Sequence, residues 1–209
     1  MDKAIKLAPN DAAAYAIRGD CHRELGDLVS ALADYNKVLQ LRKDNPQGIS
    51  QGAYVRVLVG LGEIELQNSA EKKTAAEKAQ QLNAAIEIFG KAIEEAKKSV
   101  DVDSEVVVRA HWGRAKAQVS LADVIPEDRE KLLISAIKDY QQARKHKDSP
   151  ELISGLAKTA CALGAFYFDS AMKPDTLLKA RLKGLSNAVT LFELATGLEK
   201  DNSLLQKKL

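Results

Sequence analysis

The residues able to do chemistry are few, and their spacing does not suit it. Cys21 and His22 place a nucleophile beside a base. Neighbours on a helix point about 100° apart, however, and no orienting acid is evident, so a packing cysteine beside a boundary histidine is the simpler reading. Asp101, Asp103 and Ser104 open like a calcium loop. The third acidic position, the glycine and the closing glutamate are missing, which leaves a linker that caps the next helix. His111 and His146 lack a second ligand at i+3 or i+4, and His146, between Lys145 and Lys147, reads as a cationic helix C-terminus. No H-E-x-x-H, G-x-S-x-G, G-x-x-x-x-G-K-[ST] or G-x-G-x-x-G occurs. The pair Gly60 and Gly62 lies inside an apolar helical pattern, where glycine permits close packing. The expectation is a chain without catalytic residues, metal or cofactor, and not an enzyme. Arg109, His111 and Trp112 form the one cluster suited to recognition, because Trp and Arg contribute disproportionately at interfaces. Core or inter-repeat packing of Trp112 is the competing reading.

Composition narrows the class. The chain has 209 residues, 45% hydrophobic, 29% charged and 5% aromatic, with a formal net charge of +2. That is enough apolar material for a core and rules out a wholly disordered polymer. Charge is balanced in both halves, so neither nucleic acid nor an anionic membrane is an expected partner. Cys21 and Cys161 are too few and too far apart for a disulfide scaffold, and each reads as a small apolar helix residue. The N-terminus lacks a signal-peptide core, and no stretch reaches the length of a membrane helix, so a soluble, cytoplasmic chain is expected.

The elements that must position these residues repeat. A small residue, an apolar one, an aromatic and a further small or apolar residue recur as Ala31-Leu32-Tyr35-Val38, Ala85-Ile86-Phe89-Ala92, Ala136-Ile137-Tyr140-Ala143 and Ala188-Val189-Phe192-Ala195. Offsets of 0, 1, 4 and 7 share one helix face. Partner helices are predicted between them, and the segments 11–25, 47–67, 70–99, 104–122, 127–146, 150–171 and 174–199 all read as helical, those at 70–99, 127–146 and 174–199 carrying the recurring signature. Gly26 serves as a left-handed stop and Asp27 as the next cap. Pro126, Pro150 and Pro174 read as first-turn residues, where the missing N–H is harmless. No strand pattern appears.

In residues 1–45, Tyr15, Gly19, Ala31 and Tyr35, with Ala4 and Pro9 before them, resemble the tetratricopeptide repeat, whose unit is about 34 residues. Val38 stands where that family has alanine. The later lead alanines, Ala85, Ala136 and Ala188, are spaced more widely than the family unit, and longer helices are the simplest account. Tyr54, Gly60, Ala110 and Gly113 support competing registers for the first helices of repeats 2 and 3. The resemblance implies an all-α solenoid of stacked antiparallel helix hairpins forming one domain over 1–209. Residues 1–10 are then the tail of a preceding repeat, 11–45, 46–101, 102–148 and 149–200 are four repeats, and 201–209 start a following helix. A piece of a longer array is expected.

A solenoid gains stability from successive neighbour interfaces and offers an extended concave surface. The resemblance therefore implies a protein-interaction scaffold taking a partner peptide or helix. The carboxylate clamp of one subclass is not expected, because Ala16 and Asp20 occupy its positions. Asp20, Arg23, Arg114 and Lys158, together with Arg109 and Trp112, are the candidate partner-binding residues, and they favour a mixed-charge or mildly acidic ligand. The alternatives are a homo-oligomer through exposed array ends, near Ile5 and Leu7, and a regulatory segment of a larger, catalytic polypeptide.

Overall fold

The computed structural model describes residues 2–206. Among them every regular element is helical: α1 (Asp2–Leu7), α2 (Ala12–Glu24), α3 (Leu28–Asp44), α4 (Gln51–Ser69), α5 (Ala75–Ala96), α6 (Ser104–Ala122), a 3-10 turn (Pro126–Asp128), α7 (Arg129–Arg144), α8 (Pro150–Met172) and α9 (Leu178–Gln206). The local chemistry sets most boundaries. Asp11 accepts from the amides of Ala13 and Ala14 to start α2, and Asp27 accepts from Ser30 N to start α3. Between them Gly26 takes φ 82°, a conformation that glycine adopts without a Cβ penalty. Thr74 and Glu77 close a reciprocal capping box at the start of α5. Asp103 accepts from Glu105 N at 2.9 Å, making the acidic linker a cap for α6.

The chain divides into two compact bodies, 1–117 and 118–209, with the division inside α6. In the first body α2 packs on α3 and α4, α3 on α4, and α4 on α5. In the second, α7 packs on α8 and α8 on α9. Most of the later helices are longer, as the wide spacing predicted: α2 and α3 have 13 and 17 residues, α4 and α5 have 19 and 22, and α8 and α9 have 23 and 29, whereas α6 has 19 and α7, with 16, is no longer than α3.

The recurring aromatic is the knob of each packing step. The Tyr35 ring lies against Gly19 of α2 and Gly60 of α4, the Phe89 ring against Gly62 of α4 and Gly113 of α6, and the Tyr140 ring against Gly155 of α8. A Cβ at Gly19 would stand 2.6 Å from Tyr35 Cε1, so only glycine lets the backbones come this close. Around Tyr35 the core of Ala12, Ala16, Ala31, Val38, Ala53, Val57 and Ile64 closes. This packing resolves the register of α4. Gly60 receives the Tyr35 ring of α3, the helix before it, and Gly62 receives the Phe89 ring of α5, the helix after it.

Three sequence expectations are corrected. Pro174 lies in the turn before α9, which starts at Leu178 because the intervening residues form turn hydrogen bonds such as Thr176 N to Lys173 O. Residue 201 does not begin a new helix; α9 continues unbroken through Asn202 to Gln206, and 207–209 lie outside the described residues. Cys21, towards the C-terminal end of α2, is exposed instead of packed. Ile5 is buried and Leu7 exposed.

Candidate functional site

Asp20 is the centre of a polar cluster in the first body that joins α2, α3, α4 and α6. The packing of Gly19 on Tyr35 carries its carboxylate inward, to 6% exposure, where it needs partners. Tyr35 Oη donates to Oδ1 at 2.7 Å, Arg56 Nη1 to Oδ2 at 3.1 Å, and Arg109 Nη1 to Oδ2 at 2.9 Å. The other side of the Arg109 guanidinium grips Glu63, with Nε to Oε1 at 3.1 Å and Nη2 to Oε2 at 2.6 Å. One arginine of α6 therefore bridges carboxylates of α2 and α4 with charge-assisted, forked hydrogen bonds.

The electrostatics follow from this geometry. Burial would raise the Asp20 carboxyl, but the hydrogen bonds and charge of Arg109, with those of Tyr35 and Arg56, outweigh it and hold the group below its ordinary value. Burial raises the Tyr35 phenol, and its bond to Asp20 raises it further, so it serves as a fixed donor. Burial opposes the charge on Arg109, yet Glu63 and Asp20 together raise its pKa above the usual arginine value.

Around this centre sit further charges. Arg23 Nε lies 3.2 Å from Glu63 Oε2 and its Nη2 3.3 Å from Glu24 Oε1; Arg56 also approaches Asp103 at 3.6 Å. The Lys116 ammonium stands 4.5 Å from the centroid of the Trp112 ring. Desolvation by the surrounding protein lowers the pKa of that ammonium although the residue is exposed; Glu63 opposes the shift, and Arg23 and Arg109 add to it.

Of the candidates read from the sequence, Asp20 and Arg109 are in direct contact, Arg23 joins them through Glu63, and Trp112 neighbours them through Lys116. Arg114 is elsewhere on α6. It lies near α5, with Nη1 3.6 Å from where a Cβ of Gly90 would be and its charge acting on Glu94. Lys158 is an exposed residue of α8 in the second body. Sequence reasoning missed Arg56, Glu63 and Lys116. A signal was present: Arg56 stands four residues before Gly60 and Arg109 four before Gly113, the two glycines that seat Tyr35 and Phe89. Asp20 and Glu63 each directly follow the glycine that seats the ring of their own hairpin partner.

Among the described residues no group of three His, Cys, Asp or Glu is placed to hold a metal ion, and no helix is long and apolar enough to cross a membrane. No protein-family model, curated protein or solved structure matches the chain.

Proposed function

We propose that the chain is a protein-interaction scaffold of tetratricopeptide-like, solenoid character, which receives a mixed-charge segment of a partner protein along the faces of α2, α4 and α6. The observation that supports this is the Asp20–Arg109–Glu63 bridge. It joins side chains from three helices that open successive hairpins, and it is edged by Arg23, Arg56, Trp112 and Lys116. The bridge fixes the surface in advance, which reduces the ordering cost of binding. Arg23 and Trp112 supply residue types that dominate interface energies, and Lys116 adds a cation over the Trp112 ring. No step of the reading requires bond chemistry, so no turnover is assigned to it.

The test is capture of partners from a cell extract by the wild-type chain and by Arg23→Glu and Trp112→Ala variants whose helical content is unchanged. Loss of a defined set of partners with both variants is the expected result. An identical captured set would reject the assignment of this surface.

A further inference from the structure

The fourth aromatic knob is only half seated. Tyr35 and Phe89 are 0% exposed and Tyr140 is 4% exposed, whereas Phe192 of α9 is 39% exposed. Each of the first three has a glycine from the first helix of the next hairpin against its ring, namely Gly60, Gly113 and Gly155. Phe192 has the inner contact alone, on Gly164 of its own partner helix α8. The open side of the ring is continuous with an apolar stripe. Leu178, Leu182, Leu185, Val189 and Phe192 recur at intervals of four, three, four and three residues, so they run along one face of α9. Leu178, Leu182 and Val189 are 71%, 61% and 55% exposed. Meanwhile the same helix buries Ala188, Ala195 and Leu198. The helix thus has two apolar faces, and α8 covers one. An exposed stripe of this length on a helix otherwise rich in charge marks an interaction surface.

We propose that this second face of α9 docks an amphipathic helix of a partner protein, which lays a glycine or alanine against the open side of the Phe192 ring and aliphatic side chains along Leu182 and Val189. The occupant's chemistry is set by continuity with the interface the chain already builds three times, where a small residue on an incoming helix admits the ring and apolar neighbours close around it. In a second folded copy the three ring-seating glycines of this kind, Gly60, Gly113 and Gly155, are already filled by its own rings, so the occupant argued for is a helix from another protein. The surface shares no residue with the Asp20 cluster and stands independently of the function proposed there.

The test uses the full chain and a dye-labelled peptide of residues 104–122, the segment whose Gly113 seats a phenylalanine ring within the chain. Fluorescence anisotropy is expected to show saturable binding, weakened at least about tenfold by Gly113→Leu in the peptide and equally by Leu182→Lys or Val189→Lys in the protein. Circular dichroism of these two variants should match wild type, since both side chains are exposed. Arg23→Glu should leave peptide binding unchanged, which separates this surface from the α2–α4–α6 face. Absence of binding up to about 1 mM peptide, or binding indifferent to Leu182→Lys and Val189→Lys, would overturn the proposal. So would light scattering that shows a dimer dispersed by those same two substitutions, because the face would then belong to a second copy.

Discussion

Asp20 shows how one side chain can be both an anchor and a liability. Its carboxylate is buried among three donors, so removing the strongest of them leaves a charge that water cannot solvate. Arg109→Met is therefore expected to cost about 3 kcal/mol in urea unfolding, the range for breaking a buried pair by one partner. A loss below about 1 kcal/mol would mean that the bridge behaves as a surface pair. The pH dependence has a definite sign. The folded-state pKa of Asp20 is depressed, so the ionised group stabilises the fold above its unfolded value near 3.8, and that contribution fades as pH falls through the lower folded value. Wild type should exceed Asp20→Asn in stability at pH 7 and converge on it in acid. A constant difference down to pH 2 would contradict the linkage. Asp20 and Arg109 were legible as charged residues near a helix face. Their contact was not, because it joins positions 89 residues apart and depends on the register of α4.

At the scale of elements the sequence was most informative where a short-range rule decides the outcome. Asp11, Gly26 and Asp27 mark the ends of α2 and α3 because caps and left-handed stops act over three residues. The same logic was available but unread in Thr74-Ala75-Ala76-Glu77, the capping box that starts α5. Thr74→Ala should lower stability by about 1 kcal/mol in thermal unfolding, with Thr74→Ser nearly neutral. Pro174 misled because a proline before a helix marks either its first turn or the loop ahead of it, and the distinction lies in turn bonds around Thr176. The face assigned to Ala188, Val189, Phe192 and Ala195 was half right. Ala188 and Ala195 are buried, while Val189 and Phe192 look outward, since a pattern of apolar residues does not reveal how many of its neighbours are present. Glycines separate the two roles cleanly. Gly113→Ala places a Cβ into the Phe89 ring and should destabilise by about 1–3 kcal/mol, whereas Gly197→Ala meets nothing within 4 Å and should stabilise by up to about 1 kcal/mol through helix propensity. Equal effects at the two sites would remove the knob-and-glycine account.

For the whole molecule, the relevant property is that packing is carried by successive helices within two compact bodies. The expectation for such packing is a stability distributed among neighbour interfaces that opens in parts. Gly155 provides the probe, because its missing Cβ makes room for Tyr140 between α7 and α8, entirely within residues 118–209. Burial pushes the Tyr140 phenol up to about 12, with Thr159 opposing, so the ring stays neutral and the substitution tests packing without a change of charge. Gly155→Ala should raise amide exchange in α7 and α8 under native conditions while α2 and α3, built around Tyr35, keep their protection. The sequence repeat anticipated such a division of labour, since four similar knobs imply four similar local interfaces. It did not anticipate the boundary inside α6, where the same helix supplies Gly113 to Phe89 and Gln118 to Ser135 through a 2.9 Å bond. If exchange instead rose by one common factor in every helix, the two bodies would unfold as a single cooperative structure, and the account of stability as a sum of neighbouring interfaces would fail.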